Sequence, residues 1–277
     1  MKNERTEALL ALLKAGEVVR VADLAQTLGV SEMTVRRDLN ELEALGSVKR
    51  VHGGAVRAAG RAFDQPYSIR AVRGLAEKRA IAAEAARHVR DGDAIALDTG
   101  STVLQMTDYL DQSQLTIVTA NLRTAWSLVH SRRIGRPFRL VLPGGLVRED
   151  ELALIGEDTV NRLSSLRVDI AFLGVAGVNA AAGLTDFNLE DAGIKRVLVE
   201  AAKRTIVLVD GSKLGVERFV RVAQLRQVDL LITDTSADPE IVAELRDAGL
   251  EVIEVEPLDE SGGAPIASTI EDTEALA

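Results

Sequence analysis

Seven short apolar runs between residues 94 and 255 constrain the fold more than any other feature of this sequence. They read AIALD, LTIVT, FRLVLP, DIAFLGV, TIVLVD, DLLIT and LEVIEV, with helix-like segments between most of them. Nearly continuous apolar strands that alternate with helices are typical of a mostly parallel sheet covered on both faces. The sequence therefore predicts an α/β domain over residues 67–256.

The first 57 residues show helical periodicity instead. RTEALLALLKAG and VADLAQTLG each carry an apolar stripe and end at Gly16 and Gly29. A third helix is expected to follow Ser31 as its N-cap, with Val30 and Val35 placed as a hydrophobic staple. Its core-facing positions are predicted to be Val35, Leu39 and Leu42.

Only the tight turn LGVS separates the second and third helices. Such a turn joins the two helices of a helix-turn-helix, whose second helix contacts bases from its N-terminal part. When the apolar stripe faces the core, the guanidinium groups of the arginines on this helix face outward, where they can contact guanine edges or phosphates. Its predicted DNA contacts are Ser31, Thr34, Arg36, Arg37 and Asn40.

The segment SVKRVHGGAVR alternates apolar and basic residues around Gly53-Gly54, a dipeptide suited to turns with positive φ. It predicts a β-hairpin wing against the phosphate backbone, carrying Lys49, Arg50, His52 and Arg57, of which Arg50 and His52 are taken as DNA contacts. The alternative is a small helical hairpin whose arginine pair is merely solvated.

Charge is distributed unevenly along the chain. Residues 1–57 carry nine Lys and Arg against eight Asp and Glu, whereas the whole chain has a net charge of −9. The acidity therefore belongs to the larger part, and a near-neutral small domain can still bind DNA through one basic face.

Several classes of protein are excluded by composition. With no cysteine, the chain has no disulfide, thiolate zinc site or cysteine nucleophile, and three scattered histidines do not suggest a metal site. No apolar run is long enough to cross a bilayer and the N-terminus does not resemble a signal peptide, so a cytoplasmic location is expected. No cofactor is expected. Residues 58–66 are predicted to be a flexible linker, and residues 257–277 a disordered acidic tail.

Ligands of parallel α/β sheets bind where strands end, so the strand-to-helix turns are the candidate site. In AIALDTGSTVLQM, Asp98 ends a strand, Gly100 allows a close turn, and Ser101 and Thr102 open a helix whose free N–H groups suit a phosphate. An ordinary N-cap turn is the alternative. TIVLVDGSKLG presents Lys213 at another strand end, as a point charge for phosphate or simply as a solvated lysine.

The run VADLAQTLGVSEMTVRRDLNELEALGSVKRVHGGA resembles the winged helix-turn-helix of DeoR-type bacterial transcription regulators. PYSIR, EKRAIA, LDTGST, DIAFLG, GLTDFNLEDA and VDGSKLG follow in family order, so the resemblance covers about residues 4 to 255. It implies that Arg36 and Arg37 read DNA, that the larger domain senses a phosphorylated sugar, and that the protein forms a homodimer or tetramer on double-stranded operator DNA.

The sensor domain of that family is akin to ribose-5-phosphate isomerase, in which a GST-type turn and a lysine of a D.SK motif hold the substrate phosphate. The resemblance places Ser101, Thr102 and Lys213 at those positions. It adds five further candidates for the effector site, namely Thr119, Asn121, Gly144, Gly145 and Asp186. This chain reads Thr-Ala-Asn where the family more often reads Thr-Asn-Ser, which weakens the assignment of Asn121.

A phosphosugar isomerase is the alternative function. Such an enzyme needs a carboxylate base, carried there by the motif DGADE.D. The corresponding stretch here, LGVAGVN at residues 173–179, has apolar or neutral residues at the acidic positions. Asp186, Glu190 and Asp191 of GLTDFNLEDA are possible substitutes for these acids, but they fit hydroxyl ligands or helix N-terminal charges better. The sequence therefore favours a regulator without catalytic residues, a repressor of sugar-metabolism genes.

Overall fold

The computed structural model describes residues 2–13, 18–44, 48–51, 53–57, 67–131, 133–135 and 137–258. The predicted linker, His52, and the tail beyond Leu258 lie outside the described residues. Leu258 itself, within the segment expected to be a disordered tail, donates its backbone N–H to the carbonyl of Ala76 at 3.3 Å.

The apolar positions of the first 57 residues, together with Ile69, form a small core separate from that of the larger domain. Its elements are α1 (Lys2–Leu12), β1 (Val19–Arg20), α2 (Val21–Leu28), α3 (Glu32–Ala44), β2 (Val48–Val51) and β3 (Gly54–Arg57). Gly29 ends α2 with φ +64°, as expected of a helix C-terminus. The predicted stripe of α3, Val35, Leu39 and Leu42, is fully buried. The three helices and the hairpin are confirmed.

The position of the hairpin turn differs from the prediction. Val51 pairs with Gly54, so Gly54 belongs to β3, and only Gly53 has a positive φ, of +75°. A Cβ on Gly54 would lie 2.4 Å from the carbonyl oxygen of Val19, because β3 also pairs with β1. Gly53 therefore supplies the positive φ of the turn, and Gly54 allows the close approach of β1.

The larger domain begins with two helices and continues as alternating strands and helices. Its helices are α4 (Tyr67–Val72), α5 (Leu75–Ala86), α6 (Ser101–Leu104), α7 (Leu122–His130), α8 (Glu157–Ser164), α9 (Leu189–Ala201) and α10 (Pro239–Asp247). Its strands are β4 (Ala94–Leu97), β5 (Thr116–Thr119), β6 (Arg139–Val141), β7 (Leu146–Arg148), β8 (Ala153–Ile155), β9 (Val168–Leu173), β10 (Gly177–Asn179), β11 (Gly183–Asp186), β12 (Ala202–Leu208), β13 (Val220–Ala223), β14 (Leu230–Asp234) and β15 (Val252–Val255).

The seven predicted apolar runs form one sheet of seven strands, in the order β15-β14-β12-β9-β4-β5-β6, and all neighbouring pairs are parallel. The prediction of a parallel α/β domain is confirmed. The chain winds outward from β4 to β6, then returns to β9 and winds the other way. The turns after β4 and β9 therefore flank the switch point of the sheet, where such folds bind ligands.

Two apolar layers cover the faces of this sheet. Residues of α5 and α7 pack on one face and residues of α9 and α10 on the other, as the nearly continuous apolar strands require. Two smaller sheets were not predicted: the antiparallel β10-β11-β13 and the hairpin of β7 and β8. Within the described residues, no helix has the length and apolarity needed to span a membrane.

Candidate DNA interface and ligand site

The N-terminus of α3 is built as the sequence predicts. The Oγ atom of Ser31 accepts a hydrogen bond from the backbone N–H of Thr34 at 3.2 Å and lies 2.9 Å from the Thr34 hydroxyl. This cap satisfies one of the free N–H groups at the start of the helix. The cap and the buried Val35 fix the direction in which the other side chains of the first turns point.

Arg36 and Arg37 are both exposed, on the side of α3 away from the core. Arg36 donates to Glu32, one turn earlier, at 3.1 Å, and both side chains are about half exposed. An exposed ion pair at this spacing stabilises the helix by only a few tenths of a kcal/mol. A DNA phosphate or the edge of a nucleobase can therefore replace Glu32 as the partner of Arg36.

Arg50 is held against α3 and does not extend freely from the wing. Its Nη1 atom donates to Oδ1 of Asn40 at 2.7 Å and to the carbonyl of Arg36 at 3.3 Å. Its backbone N–H donates to Glu43 at 2.8 Å. Arg50 therefore joins the wing to α3, and two predicted DNA contacts, Arg50 and Asn40, bond to each other.

Sequence reasoning missed an ion pair between α1 and α3. Asp38 is buried, and its two carboxylate oxygens accept hydrogen bonds from Arg5 Nε at 2.6 Å and Nη2 at 3.2 Å. In the sequence, Asp38 looks like an ordinary solvated charge beside the arginine pair. Its burial follows from its position three residues after the buried Val35 and four before the buried Leu42, on the same face of α3.

The turn between β4 and α6 lies at the switch point of the sheet. Gly100, with φ +137°, is the N-cap of α6, and no side chain caps this helix. Ser101 and Thr102 are buried, and the Thr102 hydroxyl has no hydrogen-bond partner among the described residues. The alternative of an ordinary side-chain N-cap therefore does not describe this turn.

Asp98 meets a lysine that the sequence did not single out. Lys195 Nζ donates to Asp98 Oδ2 and lies 3.7 Å from Asp186 Oδ2, and the backbone N–H of Gly174 donates to Asp98 at 3.1 Å. Burial raises the pKa of Asp98 to about 6, although Lys195 opposes the shift. Burial alone would lower the pKa of Lys195, but the carboxylates of Asp98 and Asp186 raise it. At neutral pH the pair is ionised.

A second ion pair extends this network. Arg148 Nη2 donates to Asp191 Oδ2 at 2.7 Å, and Arg148 Nε lies 3.3 Å from Asp150. The negative charge of Asp191 acts on both Asp98 and Lys195, which places the two ion pairs in one electrostatic unit. Four buried atoms of the network have no hydrogen-bond partner among the described residues: Asp98 Oδ1, Asp191 Oδ1, Arg148 Nε and Arg148 Nη1.

Lys213 follows β12, where the sequence predicts it. Its Nζ atom lies 3.8 Å from Asp210, and burial lowers its pKa. Lys213 itself is only partly buried, whereas Lys78 of α5 is buried, and burial together with the charge of Lys213 lowers the pKa of Lys78 to about 7. Asp186 and Lys195 also act on Lys213, so a cluster of cations borders the network.

The remaining predicted positions have clear local roles. Asn121 is the N-cap of α7: its Oδ1 accepts from the N–H of Thr124 at 2.9 Å and its Nδ2 donates to the Glu151 carbonyl at 3.3 Å. Thr119 accepts from the N–H of Asn121 at 3.1 Å. Gly145 has φ +122°, and a Cβ there would meet Thr159 Oγ1 at 2.1 Å. The Thr159 hydroxyl also donates to the carbonyl of Gly144 at 2.6 Å.

The sheet brings most of the predicted residues to one edge. The five neighbouring strands β12, β9, β4, β5 and β6 end there, followed by Lys213, Gly174, Asp98 with Gly100, Ser101 and Thr102, Thr119 with Asn121, and Gly144 with Gly145. Asp186 ends β11 in a smaller sheet and joins the site through Lys195.

A winged helix-turn-helix with outward arginines, joined to a doubly wound domain with a charged switch point, defines a two-domain DNA-binding protein. Residues 5–60 match the model of the DeoR-like helix-turn-helix domain, and residues 73–235 match that of the DeoR C terminal sensor domain. The chain belongs to the DeoR family of helix-turn-helix transcriptional regulators.

Curated relatives match over nearly their whole length. The HTH-type transcriptional regulator GolR of Listeria innocua is 34% identical over 90% of this chain and 97% of its own. The glycerol-3-phosphate regulon repressor of Escherichia coli is 30% identical over 89% of this chain and 96% of its own. Among solved structures, ribose 5-phosphate isomerase A from Methanocaldococcus jannaschii is 22% identical over 49% of this chain and 52% of its own, with a TM-score of 0.35.

Proposed function

We propose that this regulator is a repressor of sugar-metabolism genes that binds a phosphorylated sugar at the carboxyl edge of its central sheet. The observation that carries the proposal is the buried Lys195–Asp98 pair at the switch point, bordered by Lys213. Burial of charged side chains destabilises a protein, and binding of a polar ligand is a function that such side chains serve. The relative that represses the glycerol-3-phosphate regulon supports a small phosphorylated effector and a repressing role.

The phosphate of the effector would lie between the β4–α6 turn and Lys213. The Thr102 hydroxyl is buried without a partner and can donate to a phosphate oxygen. Lys213 supplies a positive charge whose ordinary hydration burial has already reduced. A dianion there would restore the favourable environment of the ammonium group and raise its pKa.

The sugar would lie toward the buried carboxylates. Asp98 Oδ1 and Asp191 Oδ1 are acceptors without donors, and Arg148 Nε and Nη1 are donors without a hydrogen-bond acceptor. Each buried unsatisfied polar group costs about 1–3 kcal/mol, and sugar hydroxyls, which both donate and accept, can satisfy groups of both kinds. This arrangement favours a polyhydroxylated effector over inorganic phosphate alone.

Operator binding needs more than one copy of α3. Paired recognition helices contact half-sites about 34 Å apart, one turn of the duplex. We therefore expect a homodimer or a tetramer in which the effector changes the spacing of two α3 helices. A tenfold change in operator affinity corresponds to about 1.4 kcal/mol of coupling between the two sites.

The isomerase alternative is disfavoured by the residues that follow β9. Leu173 and Ala176, which are buried and apolar, and the neutral Gly177 and Asn179 occupy the positions where an isomerase of this type carries acids. No carboxylate there can take a proton from carbon. A turnover assay with pentose phosphates should detect no product.

A thermal-shift experiment tests the effector site. Triose, pentose and hexose phosphates are added singly to the full-length protein, and at least one should raise the melting temperature, because a ligand of the native state stabilises it by mass action. Lys213→Met should abolish the shift. Lys203→Met is the matched control, since Lys203 is exposed at the opposite end of the same strand, paired with Asp169. An equal shift in the Lys213→Met variant would contradict the proposed site.

A selection experiment tests the DNA function. A duplex is selected from a random library by the full-length protein, and its affinity is measured with and without the sugar phosphate that gives the largest shift. We expect that ligand to weaken binding about tenfold or more. Binding that no sugar phosphate changes would argue against effector control.

A further inference from the structure

Helix α4 occupies a position between the two domains. It has six residues, Tyr67–Val72, too few for a helix that is stable by itself, so its contacts decide where it lies. We propose that α4 transmits the state of the effector site to the DNA-binding domain, with Ile69 as the coupling residue. This inference rests on the proposed function and names the route of its regulation.

On one side, α4 belongs to the core of the DNA-binding domain. Ile69 is buried in the apolar cluster that otherwise consists of residues before the linker, among them Leu9, Leu13, Val35 and Leu39. Among the described residues, Ile69 is the one buried member of this cluster that the larger domain contributes. A movement of α4 therefore disturbs the core on which α3 rests, because close-packed interiors transmit displacement.

On the other side, α4 is bonded to the neighbours of the phosphate position. It lies against α6, the helix that begins at Ser101. Lys78 Nζ donates to the backbone carbonyls of Arg70 and Arg73, at the end of α4. Lys78 also interacts electrostatically with Lys213 and Asp210. A phosphate beside Lys213 would attract the Lys78 ammonium and so compete with the carbonyls that it holds.

A second connection reaches the β5 turn. Arg70, which is partly buried, forms an ion pair with the buried Glu151, whose backbone carbonyl accepts a hydrogen bond from Asn121 Nδ2 at 3.3 Å. The guanidinium of Arg123, on α7, lies 4.3 Å from the centre of the Tyr67 ring. Two turns of the proposed site therefore act on α4: the turn after β12 acts electrostatically through Lys78, and the turn after β5 is connected to it through Glu151.

These contacts give α4 two polar connections to the sensor and one apolar connection to the DNA-binding core. An effector that shifts either polar connection changes the preferred position of α4, and with it the packing of Ile69. Coupling requires that the ligand bind the two arrangements with different affinity, which the competition for Lys78 supplies.

The test uses full-length protein, the selected duplex and the sugar phosphate with the largest thermal shift. In the wild type this sugar phosphate should change duplex affinity about tenfold. In Ile69→Ala the thermal shift should remain, duplex binding without ligand should remain, and the response should fall below about twofold. Val48→Ala is the matched control: it truncates a buried residue of the same core, on β2, and should keep the full response.

Glu151→Gln provides a second variant that leaves the DNA-binding core intact. It weakens the ion pair to Arg70 and should reduce the response of duplex affinity while the thermal shift persists. A full tenfold response in both Ile69→Ala and Glu151→Gln would overturn the role of α4 and leave the proposed function standing. A wild type that responds to no sugar phosphate would overturn the proposed function, and this inference with it.

Discussion

Arg5 and Asp38 lock the first helix of the DNA-binding domain onto the third. Two hydrogen bonds, of 2.6 and 3.2 Å, join the guanidinium to the buried carboxylate, in the two-pronged geometry that restrains rotation as well as distance. Asp38 follows Arg37 directly, so the pair sets the angle at which the arginines of α3 leave the protein.

Removal of Arg5 should therefore affect both stability and DNA binding. Arg5→Met leaves the Asp38 carboxylate buried without its partner, and the melting temperature and the affinity for the selected duplex should both fall. The double variant Arg5→Met, Asp38→Leu should recover the melting temperature, because it removes the uncompensated charge. A double variant no more stable than Arg5→Met would show that the cost is not electrostatic.

The arginine pair of α3 should carry much of the sequence preference. Arg36→Ala and Arg37→Ala should each lower duplex affinity by about 1–3 kcal/mol and relax the preference at one or two positions. Binding titrations at several salt concentrations separate base contacts from phosphate contacts, since only the loss of a phosphate contact reduces the salt dependence of binding. Arg87→Ala, an exposed arginine of the sensor, should leave affinity and its salt dependence unchanged.

The DNA-binding domain was predictable from sequence because its signals are local. The cap at Ser31, the glycine after α2 and the apolar stripe of α3 each involve residues within a few turns of one another. The short strand β1 gave no such signal, since two residues show no alternation. Its presence explains the error in the turn, because Gly54 is reserved for a strand that the sequence does not reveal.

The two wing glycines should respond differently to substitution. Gly54→Ala places a methyl group against the Val19 carbonyl, at 2.4 Å, and should cost about 3 kcal/mol, near the upper range for overpacking. Gly53→Ala meets no neighbouring atom and should cost about 1 kcal/mol, from its left-handed backbone alone. Chemical denaturation of the two variants measures the difference, and equal costs would place the turn at Gly53-Gly54 after all.

At the switch point, replacing one partner of the ion pair should destabilise the protein more than replacing both partners. Lys195→Met leaves Asp98 buried and unpaired and should destabilise the protein by about 3–5 kcal/mol. Addition of Asp98→Asn should restore most of that loss while ligand binding stays lost. Denaturant titrations of the four forms give the coupling energy, and simple additivity would mean that the two side chains act independently.

The raised pKa of Asp98 gives stability a definite pH dependence. Its pKa is about 6 in the folded protein, against 3.8 as the ordinary value, because the carboxyl is buried. Between these values the folded state binds the proton that the unfolded state has released, so this residue's contribution to the free energy of unfolding decreases as pH rises from about 4 to 6. The difference in stability between wild type and Asp98→Asn should show this slope. A flat difference would mean that Asp98 titrates normally.

The parallel sheet of the sensor domain was predictable from the sequence, but its buried ion pairs were not. The seven strands are continuous apolar runs, and their carboxyl ends meet at one edge in any parallel sheet. Lys195 lies inside an amphipathic helix, where lysines are common, and it meets Asp98 only because α9 packs beside the switch point. Arg148 and Asp191 likewise meet across separate elements. Pairings of this kind depend on tertiary packing and leave no pattern along the chain.

The strand order also determines when each domain can assemble during synthesis. The first strand of the central sheet, β4, is an interior strand that pairs with β5 and β9, and the ribosome delivers β9 only after β5 to β8. The winged helix-turn-helix pairs all its strands within the first 57 residues. A growing chain can therefore fold its DNA-reading end while the sensor is still incomplete, and nascent polypeptides generally fold domain by domain from the N-terminus.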